Sequence, residues 1–598
     1  MAIAVSTKWK EAIQAQFRYP GYLKFDLTVQ PPGIREGAQV VSTSTYNKTT
    51  ESSIVDGNQN HNDRIATLEM NRWTLDGSFD LDREQPLNLS WWSDILLSTG
   101  PVQLTFTFDK VYSVAGLYIV WDQTQGTFPG TIVIEGFSSS GASNAGPYTL
   151  TATSPSEYFD VPLNDVNKVT LTINNWSVPE WRARITEVVF GPTVRFNNDS
   201  LKSANLTAST KLLSSELPRL DLDLEVNNYD KVFDPMLITG YSKYLTERQL
   251  VHVTWGFDVG QDSIEWMDSW PLYLKAWKIP ADSPTVKLST TSRVSFLTTK
   301  YDKGVYTGAT KTFAALAQEV LNDSNIIKSF DTETPWELDS VLDTLQTRAP
   351  APEEAYNAVL QLIANATGCV MDINPVNNYV RIRQTGDMTD YEITKMQQIG
   401  DPAYTIEDRL KRISVGLRTF AMREEVTQVY SFEGTVAGSQ VLDVHFDSNN
   451  IVMNPVSTAT GATITSQVYY ARRAVITIVA AAAGAEVTLT IKGNIVDEST
   501  TFIQTYNNAD IDSGIEVQID NPLITEMATL SRVAEVTKEY YLRRKYITAE
   551  YTGYPELETA DTVSFTTNYG DFDAEIEKLT LSFNGGFNGT IKAISKHQ

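Results

Sequence analysis

The feature that most constrains this 598-residue chain is the alternation of apolar and polar residues along many short segments. A period of two places successive side chains on opposite faces of a strand, so each such segment predicts a β-strand with one buried face. Turn residues bound the segments, as antiparallel sheets require. The clearest examples lie at 23–29, 102–108, 117–122, 131–137, 169–173, 220–226, 272–277, 285–290, 379–383, 413–417 and 487–493. The pattern predicts a mainly β protein of several domains, in which helices are few.

Three segments have helical spacing instead. The first, 313–321, places apolar residues at i, i+3, i+4, i+7 and i+8, which predicts one buried helix face. The second opens at Pro352 and stops at Gly368, a first-turn proline and a C-terminal glycine. The third is predicted to begin with the Asn-Pro pair at 521–522 and to continue toward Arg543. These helices are expected to pack on sheets.

Charge and cysteine content exclude several classes of protein. The chain has 73 acidic and 48 basic residues, a formal charge of −25, which disfavours nucleic-acid binding through phosphate contacts. With Cys369 as its single cysteine it forms no intrachain disulfide. The N-terminus lacks the apolar segment of a signal peptide, and the most apolar stretch, 474–487, is too short to span a bilayer. We expect synthesis in the cytoplasm and no membrane span.

Catalytic motifs are absent from the sequence. The four histidines, His61, His252, His445 and His597, do not fall in a zinc-binding pattern. Neither a nucleophile elbow nor a phosphate-binding or dinucleotide-binding loop occurs between a strand and a helix. The sequence therefore predicts a protein that is not an enzyme.

The segment 39–191 contains several stretches of one known type. IVDGN at 54–58, LYIVWD at 117–122, TIVIEG at 131–136 and the closing stretch 176–191 together resemble the discoidin, or galactose-binding-like, family. The resemblance implies a β-sandwich inserted near the N-terminus.

The discoidin resemblance also implies a structural Ca²⁺ between the early loop and the closing strand. Asp56, the carbonyl of Asn58 and Glu187 stand at the matching positions, and Ca²⁺ prefers such oxygen ligands. His61 stands where the family usually has a hydroxyl residue. An Asx-type turn without metal is the alternative interpretation.

The same resemblance implies carbohydrate binding at one end of the sandwich. Trp121, Trp176 and Trp181 are the candidate stacking residues, with Arg182 and Arg184 as polar partners. The alternative is that these tryptophans pack in the core or contact neighbouring subunits.

Outside the sandwich, strand and turn patterns resemble the baseplate-hub and tail-tip proteins of tailed phages. The stretches concerned are LPRLDLDLEVNNYDKVFDP at 217–235, then 250–256, 270–277, 286–297, 522–544, 546–551, 555–563 and 576–594. The resemblance implies two similar β-barrels per chain and a trimer whose pseudo-sixfold ring matches a hexameric tail tube around a channel. Asp221, Asp223 and Glu225 alternate on one strand, which predicts a solvated or lumen-facing acidic strip.

These patterns predict the following division of the chain. The first hub-type barrel comprises 1–38 and 192–305, the sandwich 39–191, a small α/β domain 306–403, the second hub-type barrel with its helix 404–435 and 521–598, and a further β insertion 436–520.

The function expected from these resemblances is that of a structural subunit of a phage-type tail baseplate hub or tail tip in the virion. Its expected partners are two further copies, the tail tube, distal tail proteins, a spike or central tip protein and the tape measure protein. The alternative is a receptor-binding or carbohydrate-binding tail protein that contacts a host surface glycan through the sandwich. A glycoside hydrolase with a discoidin-like module is a third hypothesis, which the missing signal peptide disfavours.

Overall fold

The computed structural model describes most of the chain. The described residues are 3–35, 37–45, 50–56, 89–123, 125–234, 236, 240–260, 263–267, 270–280, 284–323, 336–568 and 570–596, with backbone alone at 98 and 387–390. They form a mainly β, multi-domain protein, which confirms the predicted fold class. No helix in these ranges is long and apolar enough to cross a membrane.

The N-terminal segment begins with a short helix that the sequence patterns did not predict. Helix α1 (Thr7–Gln14) starts after Ser6, whose Oγ accepts a hydrogen bond of 3.0 Å from the N–H of Trp9. Only Trp9 and Ile13 of this helix are buried, too few to produce a recognisable helical period. Strand β1 (Gly21–Thr28) follows and alternates buried and half-buried residues, as its sequence predicts.

The insertion after β1 folds as a β-sandwich. Its strands are β2 (Gln39–Ser42), β3 (Trp91–Leu96), β4 (Val102–Val114), β5 (Leu117–Val120), β6 (Thr131–Phe137), β7 (Ser143–Thr151), β8 (Ser156–Phe159), β9 (Leu163–Ile173), β10 (Arg182–Ile185) and β11 (Glu187–Val189). A five-stranded sheet of order β2-β4-β9-β6-β7 shares one core with the smaller sheets β11-β5-β8 and β10-β3. This core is separate from that of the barrels.

The chain enters and leaves the sandwich through a stem of two adjacent strands. Thr28 and Thr193 are register partners, and the N–H of Val29 donates to the carbonyl of Pro192 at 2.9 Å. At the base of this stem Gly191 has φ +142°, and a Cβ there would overlap the carbonyl oxygen of Val29. The stem therefore needs glycine at this position.

The first barrel resumes after the sandwich. Its further strands are β12 (Thr193–Phe196), β13 (Leu201–Ser209), β14 (Arg219–Asn227), β15 (Leu250–Asp258), β16 (Ile264–Trp266), β17 (Trp270–Lys278) and β18 (Thr285–Thr291). They pair in the order β12-β1-β15-β17-β18-β14-β13, so β1 lies between two strands that follow the insertion.

A small α/β unit follows. It consists of β19 (Lys311–Thr312), α2 (Phe313–Leu321), β20 (Trp336–Leu338), α3 (Val341–Thr344), β21 (Gln346–Thr347), α4 (Tyr356–Thr367), β22 (Val370–Asn374) and β23 (Tyr379–Arg383). The first two predicted helices are confirmed as α2 and α4. Helix α4 begins four residues later than predicted, at Tyr356, and ends at Gly368 in the left-handed region, with φ +67°.

The next strands form a long arm. They are β24 (Asp387–Ile393), β25 (Ala403–Ile406), β26 (Leu410–Val436), β27 (Ser439–His445), β28 (Ile451–Thr460), β29 (Ala462–Tyr469), β30 (Arg473–Ala480), β31 (Ala485–Asn507) and β32 (Ile515–Ile519). Strand β26, 27 residues long, pairs with β31 along most of its length. The prediction placed 404–435 in the barrel and 436–520 in an insertion, but this pairing runs across that division. Alternation identifies a strand but not its partner, so it did not reveal the arm.

The chain ends in the second barrel. Helix α5 (Met527–Leu542) precedes β33 (Lys545–Tyr551), β34 (Asp561–Thr567), β35 (Gly570–Phe583) and β36 (Phe587–Ser595). The helix begins later than the predicted Asn-Pro pair, because Asn521 Oδ1 accepts the N–H of Leu523 at 3.0 Å and forms a separate turn. Strands β25, β33, β36 and β35 continue the first barrel's sheet beyond β13, and β34 and β24 extend it from β35.

Candidate assembly surface and ligand sites

The two barrels are joined by main-chain pairing between β13 and β35. The register runs antiparallel from Ala204 opposite Phe583 to Ser209 opposite Lys578. At its centre Leu206 lies opposite Leu581, and both side chains are buried. One hydrophobic core extends through both barrels. The joint is therefore a continuous sheet and not a contact between two finished surfaces.

Eight strands across this joint form one uninterrupted run, which we call the eight-strand run: β17-β18-β14-β13-β35-β36-β33-β25. Every neighbouring pair in it is antiparallel. One face is apolar and lies on the core. The opposite face, called the polar face below, carries Lys287, Ser289, Arg219, Asp221, Asp223, Glu225, Ser203, Asn205, Thr207, Ser209, Lys578, Thr580, Ser582, Asn588, Thr590, Lys592, Thr548 and Glu550.

The predicted acidic strip lies on the polar face, where hydroxyl and cationic groups surround it. Asp223 Oδ1 accepts a hydrogen bond of 2.6 Å from Ser289 Oγ. Glu225 lies 3.8 Å from the ammonium of Lys287, and Asp221 is 2.5 Å from Arg219 Nε. Opposite charges in neighbouring positions leave the polar face mixed in sign. The charge of −25 is therefore not concentrated on it.

The N-terminal segment makes a second connection between the barrels. The ring of Trp9 lies 5.8 Å from that of Phe257 in the first barrel. Phe257 in turn stacks on Phe587 of the second barrel at 6.2 Å. The N–H of Ile3 donates to the carbonyl of Glu556, in the loop before β34, at 2.9 Å. Helix α1 thus packs where the two barrels meet.

A buried carboxyl lies beneath helix α1. The side chain of Glu556 has no exposed surface, and burial raises its pKa to about 6. Trp9 and Tyr391 face it, and Arg18 lies nearby. The guanidinium of Arg18 also donates to the carbonyl of Gly553 at 3.0 Å.

A second buried charge cluster joins the α/β unit to the second barrel, and no sequence pattern predicted it. Arg381 Nε and Arg383 Nε donate to the two oxygens of Asp372 at 2.7 and 2.9 Å. Arg383 also lies 3.6 Å from both Glu558 and Asp561. Glu558 lies 177 residues from Arg381 in the sequence, and only the alternation of the two arginines on β23 could have indicated a shared face.

In the sandwich, the three predicted tryptophans are buried. Trp121 has no exposed surface and meets Trp176 edge to face, with ring centroids 6.1 Å apart. Trp176 and Trp181 are 8% and 5% exposed. A ring without an exposed face offers no surface for a sugar to stack on, so the structure favours the packing alternative for Trp121. Sugar binding by the set stays a prediction.

The two predicted arginines have structural partners. Arg184 is fully buried, lies 3.5 Å from the equally buried Asp122, and stacks 4.8 Å from the centre of the Trp181 ring. Burial lowers the pKa of Arg184 to about 9. Arg182 Nη1 donates to the carbonyl of Ser93 at 2.8 Å. These contacts tie the closing segment of the sandwich to β3 and to the end of β5.

The predicted calcium ligands are only partly described. Asn58, like His61, lies outside the described residues. Asp56 directly follows the 3-10 helix Glu51–Val55, and this helix contacts the strand that contains the fully buried Glu187. Arg35 donates to the carbonyl oxygens of Val55 and Asp56. Calcium binding by Asp56, the carbonyl of Asn58 and Glu187 stays a prediction. No group of three or more carboxylate, histidine or cysteine side chains within the described ranges could hold a metal.

Cys369 is positioned as a core residue. It is fully buried, and burial raises its pKa to about 11. A thiol that stays protonated near neutral pH and has no access to solvent is a poor nucleophile.

No family model and no curated protein matches the chain. The 43 kDa tail protein of prophage MuSo2 from Shewanella oneidensis is similar at 10% identity and a TM-score of 0.37, over 68% of this chain and 96% of that one. Prophage tail protein gp18 from Listeria monocytogenes EGD-e is similar at 12% identity and a TM-score of 0.35, over 67% and 91%.

A different structure matches a smaller part of the chain. The family 32 CBM of C. perfringens NanJ, solved in complex with galactose, is similar at 16% identity and a TM-score of 0.19, over 29% of this chain and 99% of that one. The structures similar to this chain thus include phage tail proteins over about two thirds of its length and a carbohydrate-binding module over 29% of it.

Proposed function

We propose that this chain is a structural subunit of a phage-type tail baseplate hub or tail tip, and that copies of it form a threefold ring. The observation that carries the proposal is the eight-strand run: two barrels joined through β13 and β35 into one sheet with one polar face. A ring around a passage needs such a sheet, apolar toward its own core and polar toward the passage.

The mixed charge of the polar face suits this role. A wall past which DNA or a protein must slide should neither bind it tightly nor repel it over a long distance, and alternating charges largely cancel beyond about 10 Å in physiological salt. Three chains of two barrels each supply six barrels, the number that the hub resemblance implies for docking on a hexameric tail tube. The ring joins this tube to the distal spike or fibres, and its role is non-catalytic.

The location of the chain in an imaged particle tests the proposal. We expect density for three copies around the tail axis, with the polar face lining a channel, and light scattering after size exclusion should give the mass of a trimer. A chain that is strictly monomeric and absent from purified particles would refute the proposal.

Carbohydrate binding through the sandwich is a second candidate function. It is favoured by the construction of the sandwich as a module with its own core on a single stem, so that it can be displayed without disturbing the ring. A glycan array probed with the whole protein tests it. Signal that disappears when the sandwich is removed, and also in Trp176→Ala plus Trp181→Ala with the fold retained, would support the site. Signal that survives both changes would reject it.

A further inference from the structure

The segment 3–20, called the N-terminal clasp below, lies across the joint between the two barrels. On one side, Ser6 Oγ donates a hydrogen bond to the carboxylate of Glu265 on β16. On the other side, the carbonyl of Gln14 accepts a hydrogen bond of 2.7 Å from Gln397 Nε2, in the segment between β24 and β25. The clasp therefore holds both barrels, in addition to the β13–β35 pairing.

Two long side chains of the clasp cover aromatic rings of the barrels. The ring of Trp9 and the guanidinium of Arg18 lie 5.8 and 5.3 Å from the ring of Phe257 on β15. Arg18 also lies 5.7 Å from the ring of Tyr554, in the loop after β33. Detachment of the clasp would make both rings accessible at the joint.

The clasp is built to detach more easily than the barrels unfold. Of residues 3–20, Ile3, Trp9 and Ile13 are the buried ones, and none of the eighteen belongs to a strand. Helix α1 has eight residues, fewer than an isolated helix needs to be stable in water. Segments with few buried contacts open at a much lower free energy than a packed core does.

A buried carboxyl group lies between the clasp and the second barrel. The side chain of Glu556 has no exposed surface, and it faces the indole of Trp9 from the clasp and the hydroxyl of Tyr391 from β24. Arg18 lies nearby and donates to the carbonyl of Gly553 at 3.0 Å. Burial outweighs these neighbours and raises the pKa of Glu556 from 4.5 to about 6. The clasp thus helps to keep water from a group that ionises close to neutral pH.

The other charged and titratable side chains around this carboxyl come from the clasp, β24, β33 and the loop after β33. They are Lys10, Arg18, Tyr391, Glu392, Tyr551 and Tyr554. Burial raises the pKa of Tyr551 and that of Tyr554, so both hydroxyls stay protonated. The guanidinium of Arg18 keeps its charge. Glu556 is therefore the buried group of this cluster whose charge changes between pH 5 and pH 8.

We propose that the N-terminal clasp is a pH-controlled strap, docked across the joint while Glu556 is protonated and loosened when this carboxyl is ionised. The docked clasp buries the carboxyl and the detached clasp exposes it to water, so ionisation favours detachment. The strap lies within one chain. The inference therefore goes beyond the proposed ring and does not depend on it: a chain found to be a monomer absent from particles would refute the ring alone.

The rise in pKa fixes the size of the effect. A carboxyl that titrates near 4.5 when exposed and near 6 when buried shifts the detachment equilibrium about thirtyfold from low to high pH. Docking is fully favoured below pH 4.5, and the preference is lost as the pH rises through 6. About eightfold of the shift falls between pH 5 and pH 8.

Hydrogen–deuterium exchange of the whole protein at pH 5 and pH 8, corrected for the intrinsic exchange rate at each pH, tests the strap. The amides of the clasp should exchange about eightfold faster at pH 8 in the wild type, while β13 and β35 stay protected. Glu556→Gln should remove this pH dependence. Glu577→Gln changes a buried carboxyl that accepts a hydrogen bond from Tyr540 instead. As the matched control, it should leave the pH dependence of the clasp intact.

Trypsin at a single pH provides an independent measurement, since the clasp contains Lys8, Lys10 and Arg18. At pH 8 the wild type should be cut within the clasp at least about tenfold faster than Glu556→Gln. Equal cleavage rates would overturn the proposal, and so would clasp exchange that does not change with pH in the wild type, a comparison that needs no variant. Exchange of β13 and β35 at the same rate as the clasp would also overturn it, because the opening would then be global unfolding.

Discussion

The two connections that leave the first barrel are built differently. The joint to the second barrel is a strand pair with a shared core, centred on Leu206 and Leu581. The connection to the sandwich is a two-stranded stem near Thr28 and Thr193, and the sandwich has its own core. A shared core makes two barrels one cooperative unit, whereas a stem lets a module fold and unfold by itself. The first connection suits a ring of fixed geometry and the second a displayed appendage.

The largest effect is expected inside the sandwich. Asp122→Ala removes the buried carboxylate that lies 3.5 Å from the guanidinium of Arg184, which should cost about 3–5 kcal/mol of unfolding free energy. Calorimetry should show a lower transition for the sandwich and an unchanged one for the barrels. Asp160→Ala, at an exposed position of the same sandwich, is the matched control. A shift of the barrel transition would mean that the two units are not independent.

A cavity in the joint between the barrels should destabilise the barrels and leave the sandwich unaffected. Leu581→Ala creates a cavity where β35 meets β13, at a cost of about 2–5 kcal/mol. Because the core continues through the joint, both barrels should unfold together in one earlier transition, with the sandwich unaffected. Val111→Ala on the sandwich surface should change stability by less than about 0.5 kcal/mol. Two separate barrel transitions would contradict the shared core.

The pH dependence of stability should also distinguish the barrels from the sandwich. Burial raises the pKa of Glu556 to about 6, so the protonated form is favoured in the folded barrels. Its stabilising contribution is complete below pH 4.5 and is lost as pH rises through 6, which amounts to about 2 kcal/mol. Chemical denaturation of the barrels across this range should show the loss in the wild type. Glu556→Gln should abolish that component and leave the sandwich unchanged, and an identical pH profile in the variant would refute the assignment.

The smallest effect is expected from removing calcium. The guanidinium of Arg35 holds the early loop through the carbonyls of Val55 and Asp56, so this part of the loop is fixed by the protein's own side chain, and EDTA should leave the Tm of the sandwich unchanged. A Tm that rises with added Ca²⁺, and fails to rise in Glu187→Gln, would instead establish the calcium site implied by the discoidin resemblance.

Much of the local structure could be predicted from the sequence, because the alternation of apolar and polar residues and the placement of turn residues involve only positions close together in the chain. Leu117, Ile119 and Trp121 share one parity, so the period of two already indicates an inward Trp121, against its assignment to a sugar face. Arg184 had no such signal, because Ala183, Arg184 and Ile185 are all buried and do not alternate. Helix α1 buries two residues and gave too weak a period to detect.

The spacing of neighbouring residues was enough to predict the mainly β character and two of the helix positions, whereas the sandwich insertion was predicted from the discoidin resemblance. Tertiary structure alone decided which strands pair: β13 with β35 across the barrels, and β26 with β31 along the arm. Main-chain hydrogen bonds are the same for every residue type, so alternation specifies a buried face but not the strand beside it. The joint on which the proposed function depends was therefore visible only in the folded chain.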